Sequence, residues 1–156
     1  MLHRTKHSYH THLYRFVQEV LVVCPGCAGK AVVKTGNFQD MKYEVQGVRV
    51  VCTGCGYSRS LERVAMRSNH LIFGAPVDPF FHLPLWLQAE CSGQLLWAYN
   101  HAHLDFLAQH VAARLRERNT AKHQVGSIGA RLPRWMTAAH QRETVLKVIE
   151  RMRKTG

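Results

Sequence analysis

Cysteine carries the most chemistry in this chain. Cys24-Pro25-Gly26-Cys27 and Cys52-Thr53-Gly54-Cys55-Gly56 form two C-x2-C units with 24 residues between them. A C-x2-C turn brings two thiolates within reach of one ion, and Gly and Pro permit the bend that lets backbone N–H groups face sulfur. Two such turns supply four sulfurs, and four soft thiolates in a tetrahedron select Zn²⁺, with iron in a rubredoxin-like site as the alternative. A thioredoxin-like redox role fits less well. It needs one C-x2-C at the start of a helix, whereas Cys27 is followed by Ala31-Val32-Val33-Lys34-Thr35, a strand pattern. The fifth cysteine, Cys91, lies in Glu90-Cys91-Ser92-Gly93 and lacks a neighbouring partner. A second site built from Cys91 with His82, His101 or His103 is the weaker reading, and an ordinary partly buried thiol the stronger. His101 and His103, at a helix start, read as capping or surface residues.

Elements that could position the two cysteine pairs are legible around them. Val20 to Val23 favours a strand leading into Cys24. Ala31 to Thr35 and Tyr43 to Val51, separated by turn residues at Gly36, Asn37 and Asp40, predict a β hairpin with a cysteine pair at each end. Tyr57 to Leu61 suits a third strand. Three prolines between Ala75 and Pro84 mark an irregular connection. A second hairpin is expected from Leu85-Trp86-Leu87-Gln88 and Gln94 to Tyr99, flanking a loop at 89–93. Asn100 is a suitable N-cap for a helix ending near Asn119, because Leu104, Leu107, Ala108, Val111 and Leu115 share one arc. A second helix opens near Pro133 and carries Val145, Val148, Ile149 and Met152 on one side. The fold class expected is therefore α+β: an amino-terminal four-cysteine zinc ribbon (13–70) preceded by a mobile polar arm (1–12), then a second hairpin packed on two carboxy-terminal helices (71–156), all forming one compact unit.

These residues resemble known proteins. The CPGC and CTGCG knuckles around a hairpin are similar to the zinc ribbons of transcription factor IIB and related transcription and translation proteins. With Asp78-Pro79-Phe80-Phe81, Leu85-Trp86-Leu87, Leu96-Trp97-Ala98-Tyr99-Asn100 and Arg131-Leu132-Pro133-Arg134-Trp135-Met136, the chain resembles a group of small bacterial proteins that carry a ribbon of this type. The resemblance implies one structural zinc on Cys24, Cys27, Cys52 and Cys55. It implies no particular activity, since ribbons bind DNA, RNA and proteins alike.

Charge bounds the partners. The 156 residues hold 21 Lys+Arg against 10 Asp+Glu, a net +11. Such a balance suits nucleic acid, an anionic membrane surface or an acidic protein. No apolar run approaches the about 20 residues needed to cross a bilayer, and Arg15, Gln18 and Glu19 interrupt the one that could mimic a secretion signal, so a cytoplasmic protein is expected. Residues 112–156 hold 11 basic and 3 acidic side chains, and most of the excess is therefore carboxy-terminal. Arg114, Arg116, Arg118, Lys122, Arg131 and Arg134 are the candidate contacts to phosphates or to an acidic partner. Helix-end cations also complement the helix dipole, which accounts for part of the set without any ligand. On the ribbon, Lys30, Lys34, Arg49, Arg59, Arg63 and Arg67 add charge that strand alternation scatters over two faces. Trp86, Trp97, Tyr99 and Trp135 suit core packing better than base stacking. No G-x-S-x-G, phosphate loop or H-E-x-x-H is present, and four cysteines would close the metal shell. The reading is a non-enzymatic, nucleic-acid-binding or transcription-associated protein. Its alternative is an adaptor whose basic helices dock an acidic protein.

Overall fold

The structure, a computed structural model, describes residues 16–35, 44–65, 69–117 and 132–155. Strands β1 (Glu19–Val23), β2 (Lys30–Lys34), β3 (Glu44–Val51) and β4 (Ser58–Ala65) form an antiparallel sheet in the order β1-β2-β3-β4. A separate hairpin joins β5 (Leu87–Cys91) to β6 (Gln94–Ala98), and among the described residues three helices follow: α1 (His101–Glu117), α2 (Arg134–Thr137) and α3 (Arg142–Arg153). The architecture is α+β, as the sequence predicts. The polar arm expected at 1–12 lies outside the described residues.

The four strands lie where the sequence predicts them, but the last is longer than expected. β4 runs on to Ala65, pairing Val64 with Val45 and Leu61 with Val48. Along β3 the buried residues include Val45, Val48 and Val50, which do not keep a strict period of two. Gly47, at φ +67, lies where the parity changes, a backbone conformation that glycine adopts without a Cβ clash. This lets both ends of an eight-residue strand turn valines inward.

The second hairpin also departs from its expected form. Only Ser92 and Gly93 make the turn, with φ of 51 and 79. Two successive positive φ values are those of a type I′ turn, whose twist matches the paired strands. Ala89, Glu90 and Cys91 consequently belong to β5, and Cys91 pairs with Gln94 and is buried.

The sheet is tied to the hairpin through the outer edge of β1. Leu21 N donates to Tyr99 O (2.8 Å), Val23 N to Pro84 O (2.9 Å) and Trp86 N to Leu21 O (2.9 Å). One apolar cluster fills the ribbon and takes in Leu85 and Tyr99, while a second collects Leu87, Leu96 and Ala98 against Leu104, Leu107, Val111, Val145, Ile149 and Met152. The hairpin and its flanking residues thus contribute to both cores. Each fully buried aliphatic side chain of this kind is worth about 1.5–3 kcal/mol.

The connection from 76 to 84 is organised by Asp78, which is fully buried. Its Oδ1 accepts from Phe80 N (2.9 Å) and Phe81 N (2.7 Å), and its Oδ2 from Leu83 N (2.6 Å). Burial raises its pKa while the three amides act the other way.

Asn100 caps α1 as its side chain predicts, with Oδ1 accepting from His103 N at 2.8 Å. Its Nδ2 also donates to Phe16 O and Glu19 O, each at 2.7 Å, fastening the approach to β1 onto the helix start. The single helix expected after Pro133 is two. Ala138 is extended (φ −60, ψ 136), and α2 stops there after four residues. Arg142 Nε donates to Thr137 O (2.8 Å) across the break. On α3, Glu150 pairs with Arg153, and Arg153 also reaches Asp105 of α1 at 2.9 Å.

His103 is the main correction in this half of the fold. It is a core residue, 1% exposed, and not a surface or capping side chain. Its ring stacks on Phe16 (centroids 4.7 Å apart, planes at 13°) and lies 5.3 Å from Tyr99 and 5.8 Å from Trp97. Its Nδ1 accepts from Tyr99 N at 3.0 Å. Spacing is the signal in the sequence: His103 shares a helical face with Leu107 and Val111, one and two turns on.

Candidate metal centre

Both cysteine pairs sit at hairpin tips, the first between β1 and β2 and the second between β3 and β4. The two turns repeat the same backbone bonds. Ala28 N donates to Cys24 O (2.8 Å) and Cys24 N to Gly29 O (2.7 Å); Gly56 N donates to Cys52 O (2.9 Å) and Cys52 N to Tyr57 O (2.8 Å). Each turn closes through a left-handed residue four positions after its first cysteine, Ala28 at φ 62 and Gly56 at φ 80. That conformation costs an L-residue with a Cβ about 1 kcal/mol and glycine little. Ala28→Gly is therefore expected to raise stability by about 0.5–1 kcal/mol despite its looser unfolded chain, measured as a higher urea midpoint at constant metal.

Backbone N–H groups face the sulfurs: Gly26 N donates to Cys24 Sγ (3.3 Å) and Gly29 N to Cys27 Sγ (3.4 Å). A Cβ at Gly29 would come within 3.2 Å of Cys27 Sγ, so the first turn has little space for a side chain.

All four Sγ atoms lie within 4.8 Å of one another. The close approaches cross between the turns, Cys24 Sγ to Cys55 Sγ at 3.6 Å and Cys27 Sγ to Cys52 Sγ at 3.7 Å. Metal–sulfur bonds of about 2.3 Å in a tetrahedron place sulfurs about 3.8 Å apart. The four residues named from sequence are thus brought together in a shape that can hold one ion. Cys24 and Cys52 are buried while Cys27 and Cys55 face solvent. Without an ion the thiols share their protons unevenly. The N–H of Cys55, then that of Gly54, hold Cys52 down at about 7 against the effect of burial. For Cys55 the Tyr57 amide pulls downward, but the Cys24 sulfur and burial together push it up to about 12.

Cys91 takes no part. Burial raises its pKa, and among the described residues no other set of three or more His, Cys, Asp or Glu side chains gathers as metal ligands do.

The candidate basic contacts fare differently. Arg134 opens α2 and is exposed. The side chains of Arg114 and Arg116 on α1, and Arg67, Arg118, Lys122 and Arg131 altogether, lie outside the described residues. On the ribbon the expected scatter is present. Glu19, Lys34, Arg49 and Ser60 are successive register partners across the sheet, with Lys34 Nζ 3.9 Å from Glu19 Oε1. Arg59 and Arg63 instead line a cavity of about 390 Å³ whose other walls include His70, Phe80, Phe81 and His82. Sequence reasoning does not single out this grouping, because its walls come from β4 and from the proline-rich connection. The Arg59 guanidinium stands 5.8 Å from the Phe81 ring centroid, and His82, held at φ 60, hydrogen-bonds His70 O.

Among the described residues, no helix is long and apolar enough to cross a membrane. No protein-family model, no curated protein and no solved structure matches this chain, so its sulfur cluster and cavities carry the functional reading by themselves.

Proposed function

We propose that the chain is a non-enzymatic zinc-ribbon protein that binds nucleic acid, its four-cysteine site holding one structural Zn²⁺ and its ribbon face contacting phosphates. Four thiolates in a tetrahedral frame favour zinc, and occupancy of all four positions leaves no open site for substrate. Iron remains the alternative ion: a red protein with reversible one-electron chemistry would displace zinc. The likeness to ribbons of the transcription factor IIB type fits a transcription-associated setting.

The observation that carries the reading is the cavity of Arg59, Arg63, His70, His82 and Phe81. Among the described residues, no carboxylate lines it. Arginine grips phosphate through paired N–H donors, and an aromatic floor accepts a base or a ribose face. Arg134, exposed on α2, is the described member of the carboxy-terminal set available to extend the contact.

Binding of a fluorescent single-stranded DNA or RNA oligonucleotide, titrated at several salt concentrations, tests this. The expected result is affinity that falls steeply with salt, and an Arg59→Ala/Arg63→Ala variant that binds about tenfold more weakly with a log–log salt slope shallower by about 1.4. Unchanged affinity and slope in the double variant would remove the cavity from the interface. A stoichiometric acidic protein that persists after nuclease treatment would replace the reading with the adaptor.

A further inference from the structure

The residues around the Arg59/Arg63 cavity are sorted by burial. Arg59, Arg63, His70 and His82 are exposed and form its rim, whereas Leu61, Leu71 and Phe81 are half-buried and Phe80 is buried, so its deeper wall is apolar. The order along β4 repeats this division. Arg59, Leu61 and Arg63 share one face of the strand, because side chains alternate, and they span about 13 Å with the leucine between the two cations. β4 is also the last strand of its sheet. The opposite edge, along β1, is closed by its bonds to Pro84, Trp86 and Tyr99, whereas among the described residues β3 alone pairs with β4. At about 390 Å³ the cavity falls within the about 300–1,000 Å³ of small-molecule sites. A basic rim over an apolar floor, at an open sheet edge, suits a ligand that is anionic along its length and apolar at its side.

We propose that the cavity seats one unpaired nucleotide, its base on the floor of Leu61, Leu71 and Phe81 and its flanking phosphates on Arg59 and Arg63. The inference rests on the nucleic-acid reading above and names the form of nucleic acid. A duplex turns its phosphates outward and keeps its bases stacked and paired, so it touches the rim alone and leaves the floor in water. Filling the floor takes a base out of the stack. In a single strand or a loop the bases are already free to swing outward, and an aromatic surface accepts any of them. Charge alone argues the other way. Each neutralised phosphate releases more counterion from a duplex than from a single strand, with slopes of about 0.9 and 0.7, so a merely basic patch favours the duplex. Preference for the unpaired form is therefore the signature of the floor.

Three ligands of one length separate the contributions: a short single strand, the same strand paired with its complement, and a strand with abasic sugars in place of its central nucleotides, which keeps every phosphate. Titrated into the metal-loaded full chain at one salt concentration, the intact single strand should bind about tenfold more tightly than the duplex or the abasic strand. Running the series as DNA and as RNA separates the two sources, the wider gap marking the sugar that the cavity accommodates. Phe81→Ala should cost the intact strand about tenfold and leave the abasic strand unchanged, a split that general unfolding cannot imitate. In the unmodified protein the Leu61 and Phe81 NMR resonances should shift with the intact strand and not with the abasic one, a readout that requires no variant. A duplex or an abasic strand that binds as tightly as the intact single strand would overturn the base seat and leave the nucleic-acid reading standing. Absence of binding by all three would overturn both.

Discussion

Stripping the ion from the four-cysteine site is expected to abolish the ordered signals of β1 to β4. Each knuckle is a tight turn whose two sulfurs stand within 3.6 to 3.7 Å of the opposite pair, and without a cation only weak contacts between largely protonated thiols join the two turns, Cys55 being pushed up to about 12. In small zinc modules the free energy of binding, about 10–16 kcal/mol at neutral pH, is largely folding free energy. Here the ribbon also holds a valine core and shares Leu85 and Tyr99 with the hairpin region, so metal loss should cost several kcal/mol and leave the helical cluster more ordered than the sheet. Chelation at neutral pH should release about one ion per chain, with protection of the ribbon amides against hydrogen exchange falling by orders of magnitude. The Cys24→Ser/Cys55→Ser variant, which removes one of the two close sulfur contacts, should behave like the chelated protein. A ribbon that keeps its amide protection in that variant would show that the ion is dispensable to the fold.

Acid should weaken the other half of the molecule through His103. Burial lowers its pKa from 6.5 to about 3, because an imidazolium there would be desolvated among Phe16, Trp97, Tyr99 and Phe106, none of which offers a charge. The folded state therefore holds fewer protons than the unfolded one in the interval between these values. Stability is full above pH 6.5 and falls as pH drops towards 3, by about 1.4 kcal/mol per pH unit, or about 3 kcal/mol by pH 4.5. Acid also displaces metal from thiolates, so the informative quantity is a difference. His103→Phe should flatten the fall in urea-unfolding free energy between about pH 6.5 and 4.5 by nearly one proton relative to the unmodified chain. Parallel pH profiles for the two proteins would place the ring in contact with water.

The metal site is legible in sequence because its determinants are local. C-x2-C with glycine inside specifies a thiolate turn within four residues, and the strands that bring two such turns together follow from β-branched runs on either side. Helix α1 is legible for a similar reason, since Asn100 and the arc of Leu104, Leu107, Ala108 and Val111 are local signals. Distant contacts decide the rest. Ser92-Gly93 is a two-residue turn signal, but the polar residues beside it read as loop until the pairing of Glu90 with Leu95 and Cys91 with Gln94 is known. Nothing between Thr137 and Gln141 breaks a helix by type. The break is instead spanned by a side chain, Arg142, whose Nε satisfies the Thr137 carbonyl. His103 reads as a surface residue when its polarity is weighed above its position on the apolar arc, and the walls of the Arg59/Arg63 cavity are too far apart in sequence to form a pattern.

The crossed sulfur contacts have a consequence for assembly. Each hairpin tip delivers two thiolates in the same turn geometry, so it is a complete bidentate chelator, and the two tips are chemically near-equivalent halves. A tip cannot distinguish its own partner from the same tip on another molecule except by effective concentration. While a chain is newly made and metal is scarce, one ion can be shared by two molecules, each giving one tip and leaving the other uncoordinated. The backbone bonds that pair β2 with β3, from Val32 opposite Val51 to Lys34 opposite Arg49, oppose this. They keep the first tip close to the second, so that capture of metal within one chain outcompetes cross-linking between two.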